Sequence, residues 1–177
     1  IIALLSGIQS KLAFGLFLGG TFLFFVGLFD EKLRLTPYTK LLTQIIAACI
    51  AVYFGNIMAL PLPAYLAIPI TIFWIVGVTN SFNLLDNIDG LAAGIAAIAA
   101  LMLFSISLFF SNNPLSIFAL IIAGAALGFL PYNFNPAKIF MGDSGSMFLG
   151  YSLSVIAING TGRHMSGLFI SLLIPVL

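Results

Sequence analysis

Residues 80–94 read NSFNLLDNIDGLAAG, and they put Asn80, Asn83, Asp86 and Asp89 into a chain with almost no charge to spare. Only 6% of the residues are charged and 62% are hydrophobic. Long apolar runs lie on both sides of the block, 65–79 before it and 91–110 after it, so it marks the meeting point of two membrane-length segments. Ionisable groups are expensive in lipid, and their presence beside such segments marks a functional site by default.

Composition points the same way. A mean hydropathy of +1.21, with 18 Phe and five acidic residues, is far from the usage of soluble domains. So few charges cannot cover the surface of a soluble fold. Apolar runs recur at roughly the 17–25 residues needed to cross ~30 Å of hydrocarbon as a helix. Strict alternation is absent, which argues against a β-barrel. The predicted fold is therefore all-α, a polytopic transmembrane helix bundle. A net charge of +1 gives no basic surface for nucleic acid. The single cysteine, Cys49, falls in the middle of a segment and has no partner for an intrachain disulfide.

In chain order, the predicted segments are 12–29, 41–54, 64–79, 91–110, 115–132 and 147–158, with part of a seventh after Arg163 and His164. Pro37 sets a turn and a helix start between the first two. No internal repeat or soluble domain is apparent. The expected organisation is a single integral-membrane unit over 1–177, part of a longer protein with further helices before it and a cytoplasmic loop and helices after it.

Counting crossings sorts the polar residues. Each segment reverses the chain, so 30–40, 80–90 and 133–146 fall on one face and 55–63, 111–114 and 159–166 on the other. All five carboxylates, Asp30, Glu31, Asp86, Asp89 and Asp143, land on the first face, with Lys32, Arg34, Lys40 and Lys138. Lys11 and Arg163 lie opposite. The positive-inside rule makes the acidic face cytoplasmic.

Carboxylates gathered at a membrane surface, with Asn, Gly and Lys, suit a hard cation and a polyanionic ligand. Magnesium takes oxygen ligands, commonly one or two carboxylates plus substrate phosphates and water. Gly142 and Gly145 around Asp143 let backbone approach a phosphate closely, and Ser144 or Ser146 can donate to it. Asn80 and Asn83 share a helical face, as do Asp86 and Asp89. The competing reading, that the acids only cap helices at the interface, suits one acid better than five on one face. Gly142-Asp143-Ser144-Gly145 is similar to a serine-protease nucleophile loop, but that chemistry needs a histidine alongside, and His164 is expected on the opposite face. Asp86–Gly90 lacks the ligand pattern of an EF-hand. Zinc lacks its Cys and His ligands.

Three motifs in order resemble the polyprenyl-phosphate N-acetylhexosamine-1-phosphate transferases. These bacterial enzymes include GlcNAc-1-phosphate transferases and the related phospho-MurNAc-pentapeptide translocase. Phe29-Asp30-Glu31 followed by Lys40-Leu41-Leu42 is similar to the family's double-aspartate loop. Residues 80–91, with Asn80, Asn83, Asp86 and Asp89, resemble its Asn/Asp motif, and 133–150, NFNPAKIFMGDSGSMFLG, its third signature. Glu31 stands where the family has a second aspartate, and Asn87 where it has a glycine.

The resemblance implies transfer of a sugar 1-phosphate from a UDP-N-acetylhexosamine to undecaprenyl phosphate, releasing UMP. It implies a multi-pass protein of the inner (cytoplasmic) membrane with its site facing the cytoplasm, and leaves a homodimer open. Magnesium would be the cofactor, with manganese as a substitute, on Asp143 and Asp86. Asp30, Glu31, Asp86 and Asp89 would be the catalytic carboxylates. Asn80, Asn83, Asn133, Lys138 and Phe140 would bind substrate, with Phe140 stacked on uracil. The third signature is closer to the GlcNAc-1-phosphate branch, with phospho-MurNAc-pentapeptide transfer as the alternative. An ion-coupled transporter is the rival from another class, and would hold its acids near the membrane midplane.

Overall fold

The computed structural model describes residues 7–110 and 115–160, and these form six helices and no strand. They are α1 (Gly7–Leu33), α2 (Pro37–Tyr53), α3 (Ala64–Leu85), α4 (Leu91–Phe110), α5 (Leu115–Asn133) and α6 (Gly142–Gly160). Arg163, His164 and the seventh segment lie outside the described residues. Among those described, Lys11–Leu33, Ala64–Leu85 and Leu91–Leu108 are long and apolar enough to cross a membrane. Large apolar side chains such as Phe25, Phe73, Ile98 and Ile121 point outward, with Phe73 80% exposed. Such a surface is stable only against lipid. This is a multi-pass helical membrane protein.

Several helices run past their expected ends. α1 continues through Asp30 and Glu31 to Leu33, where a loop was expected. α3 continues beyond Thr79 and carries Asn80 and Asn83 on its last two turns. α6 begins at Gly142 rather than Met147, so Asp143 sits in its first turn. The reason is that an apolar run measures only the lipid-facing part of a helix. At 1.5 Å per residue the 27 residues of α1 span about 40 Å, more than the ~30 Å of hydrocarbon. The start of α2 follows its local signals: Thr36 is the N-cap, its hydroxyl accepting the Thr39 N–H, and Pro37 follows it.

α6 is the axis of the bundle. Residues 151–158 are all buried, and α6 packs on α1, α3, α4 and α5. The Tyr151 hydroxyl donates to the Gly15 carbonyl of α1 at 2.8 Å. α4 and α5 pack together, and their buried residues are largely small, among them Ala96, Ala100, Ala119 and Ala123; small residues let helix backbones approach closely where lipid supplies no hydrophobic drive.

One glycine sets how closely α1 approaches the start of α6. A Cβ on Gly27 would lie 2.3 Å from the backbone N and Cα of Ser144. The residue before Ser144 is Asp143, so this close approach brings the end of α1, with Asp30, up to the first turn of α6.

Gly27→Ala should therefore lower stability in detergent by about 1–3 kcal/mol, because backbone has to move. Gly77→Ala, at a helical position with nothing within 4 Å, should be neutral or stabilising by up to about 1 kcal/mol. Unfolding curves for both variants check the pair.

Candidate active site

The ends of α1 and α3, the starts of α2 and α6, and the loops 86–90 and 134–141 meet at one end of the bundle. Asp143 is their junction. Asn83 of α3 donates from Nδ2 to Asp143 Oδ1 and, at 3.1 Å, to Ser146 Oγ. Lys40 of α2 donates from Nζ to Asp143 Oδ2 at 2.8 Å. The same ammonium pairs with Asp30 Oδ2, so the two carboxylates share one cation. Asp30 is only 4% exposed, and its Oδ1 accepts the Leu35 N–H at 2.6 Å. That bond fixes the turn between α1 and α2, where Arg34 takes a positive φ of 51°.

The other carboxylates surround this junction. Glu31 accepts from the Ser144 hydroxyl at 3.2 Å, so the longer arm at this position reaches the first turn of α6. Asp86 is the C-cap residue of α3 and faces the Gly142 backbone N–H. Asp89, three residues on, faces elsewhere: its Oδ2 accepts Asn135 Nδ2 at 3.2 Å and the Ala137 N–H at 3.0 Å. The two aspartates of the motif thus separate, one beside Asp143 and one pinning the loop before α6.

Asn133 is 2% exposed and clamps two loops together. Its Oδ1 accepts the Gly90 N–H at 3.1 Å, and its Nδ2 donates to the Ile139 carbonyl at 3.0 Å. Phe140, 69% exposed, and Lys138 stand on the surface of the loop so held. Asn80 is exposed as well and lies apart from Asn83. It closes the site end of an apolar groove of about 540 Å³ between α2 and α3, lined by Leu41, Ile45, Ile72 and Phe73 among others.

All five carboxylates expected on one face are at this end, so the crossing count is matched by the fold. Lys40 has no site role in the motifs read from sequence, although its position carries a signal. The buried stripe of α2 is Gln44, Ala47, Ala48 and Ala51, and Lys40, four residues before Gln44, extends that stripe to the site.

The donors suit a hard cation. Among the described residues no three His, Cys, Asp or Glu side chains converge to hold a metal unaided. Asp143 and Asp86 offer carboxylate oxygens at the membrane surface, with Asn83 beside them. Such a set fits magnesium completed by water and substrate phosphates.

Burial pushes the Asp86 carboxyl up; the Gly142 N–H opposes the rise and the Asp143 charge adds to it, leaving a value of about 6. A folded value above the ordinary 3.8 means that Asp86 favours the folded state at low pH, and that this contribution is lost as pH rises through about 6. In metal-free protein, difference infrared spectroscopy should show a carboxylate that takes up its proton near pH 6. The signal should be absent in Asp86→Asn, and its midpoint should fall in Asp143→Asn, where the neighbouring charge is gone.

Comparison with known proteins agrees with this site. A family model described as "Glycosyl transferase family 4" matches residues 13–161. The chain is 36% identical over 184 aligned positions to a probable undecaprenyl-phosphate N-acetylglucosaminyl 1-phosphate transferase of Bacillus subtilis, covering 98% of this chain and 51% of that protein. It is 36% identical over 156 positions to a decaprenyl-phosphate N-acetylglucosaminephosphotransferase of Mycobacterium tuberculosis, covering 77% and 39%. It is 41% identical over 123 positions to a phospho-N-acetylmuramoyl-pentapeptide-transferase of Staphylococcus aureus, covering 70% and 37%. The chain thus spans about half the length of the Bacillus relative and less of the other two. The match runs through all three polar blocks that the helices gather at one end, and the chain belongs to glycosyl transferase family 4.

Proposed function

We propose that this chain carries the reaction centre of a phosphoglycosyl transferase. It moves an N-acetylhexosamine 1-phosphate, GlcNAc 1-phosphate in the first instance, from a UDP-sugar to undecaprenyl phosphate. The products are a lipid diphosphate sugar and UMP, the first membrane step of a cell-envelope glycan. The observation that carries the reading is the Asp30–Lys40–Asp143–Asn83 junction, with Asp86 beside it, at the end of an apolar bundle. A charged site at that position serves a reaction between a water-soluble phosphate donor and a lipid phosphate. It is less suited to an ion-coupled transporter, which holds its acids near the midplane. The GlcNAc branch is favoured over the MurNAc-pentapeptide branch because its relative aligns along 98% of this chain, against 70%.

In this reading an acceptor phosphate oxygen attacks the sugar-bearing phosphorus of the donor. The bond from that phosphorus to the bridging oxygen breaks, and its electron pair leaves with UMP. A phosphate monoester has its second pKa at about 6, so the acceptor is largely dianionic at neutral pH and needs no general base. Magnesium on Asp143 and Asp86, when bound, offsets diphosphate charge and stabilises the transferring phosphoryl group. Asn83 holds Asp143 in place from its other side. Asp89 and Asn133 fix the loop that presents Phe140 to a nucleobase and Lys138 to phosphate. The groove below Asn80 gives a lipid tail an apolar path from the site. Orientation with the site toward the cytoplasm gives the donor access from the compartment expected to hold it.

The test is UMP release by the full-length protein in detergent, with undecaprenyl phosphate, a panel of UDP-sugars, and magnesium added or withheld. Magnesium-dependent release with UDP-GlcNAc is expected, falling by about 100-fold or more in Asp143→Asn. Release unchanged in folded Asp143→Asn sinks the assignment of the site. A stoichiometric burst of UMP before acceptor is added would replace direct attack by a covalent enzyme intermediate.

A further inference from the structure

Lys40 occupies the position in the junction where a cation is needed, and this has a consequence for how a metal enters. Asp30 and Asp143 meet at one ammonium, and two carboxylates so close repel unless a positive charge lies between them. Lys40 Nζ is that charge, bonded to both. Both Asp143 oxygens are already engaged, one by Asn83 and one by Lys40. The same Asn83 nitrogen is also tied to Ser146. Asp30 is buried and held by the Leu35 N–H. Lys40 is the partner able to yield: its side chain is 25% exposed, and it is a point charge on a flexible stem in the first turn of α2.

We propose that Lys40 is a positioning residue that acts as an internal counter-cation, competing with the divalent ion for Asp143. It holds the carboxylate pair together in the metal-free site, and must release Asp143, keeping Asp30, for the ion to bind. The inference rests on the metal reading given under Proposed function. It goes further in assigning Lys40 a role that weakens metal binding in the absence of substrate. A site so arranged has the repulsion of its carboxylate pair relieved when empty, and takes up its ion most readily when donor phosphates supply further ligands.

The experiment measures Mn²⁺ binding, by electron paramagnetic resonance, to the full-length protein in detergent without substrate. Wild type, Lys40→Gln, Lys40→Arg and Asp143→Asn are compared, with thermal unfolding followed in parallel. Lys40→Gln should bind Mn²⁺ roughly tenfold more tightly than wild type, since the competing charge is gone. It should also unfold at lower temperature without metal and regain that loss at saturating Mn²⁺. Lys40→Arg keeps the charge and grips two carboxylates through its fork, so it should bind Mn²⁺ no more tightly than wild type. If Lys40→Gln binds no more tightly while Asp143→Asn loses binding, the counter-cation role is overturned and the metal reading stands. If Asp143→Asn binds like wild type, or neither wild type nor Lys40→Gln shows saturable binding, the metal reading fails and this inference with it. A Lys40→Gln protein that does not fold leaves the decision to Lys40→Arg, whose tighter binding would contradict the competition.

Discussion

Asp143 accepts from Lys40 on one oxygen and from Asn83 on the other, and so ties the starts of α2 and α6 to the end of α3. Asp30 brings in the end of α1 through the same ammonium. In a bundle solvated by lipid, unpaired charge is costly anywhere below the headgroups. The carboxylates therefore gather at one end, with Lys40 between two of them, and the helices have to be arranged so that they can. The bond lengths matter less than the fact that four helices share one electrostatic junction. A shift in any of them leaves a partly buried carboxylate without its partner, a change that generally costs far more than an exposed ion pair contributes.

The apolar part of the bundle is built to permit that meeting. α6 is buried along its middle and serves as the post on which α1, α3, α4 and α5 lean. Close approach comes from small residues, because association in lipid gains from packing rather than from leaving water. Gly27 is the sharpest case: its missing side chain is the space that the backbone of Ser144 fills. One of the contacts that most directly sets the geometry of the charged site is thus a glycine on an otherwise apolar helix.

The loops at the site end show a division of labour among residues of similar chemistry. Asp86 remains beside Asp143, half-buried and reluctant to ionise. Asp89 and Asn133 hold the segment 133–141 against the turn after α3. Their amide and carboxylate groups satisfy backbone N–H and C=O groups that would otherwise be left unpaired in a turn. Rigidity of this kind lets Phe140 and Lys138 stand on the surface in a defined place while carrying no structural load themselves.

The sequence by itself determined the lipid-solvated helical fold, because nothing else suits 62% hydrophobic and 6% charged residues. It also determined that five carboxylates share one end, because each apolar run has to cross and reverse. Both conclusions rest on one-dimensional quantities, run length and crossing parity. Helix ends were less legible: the segments 80–85 and 142–146, which carry the polar motifs, continue helices past the hydrocarbon, where composition no longer reports conformation. Only the tertiary structure decided which polar groups touch. Lys40 and Asp143 are 103 residues apart, and Asn83 and Asp143 are 60 apart. Spacing along a helix says which face a side chain takes, but not which neighbour that face meets. Asp86 and Asp89 share a spacing and diverge in partner, and Gly27 carries no motif at all. Their roles follow from how α1, α3 and α6 are packed, and that packing is a property of surfaces in contact that no single segment contains.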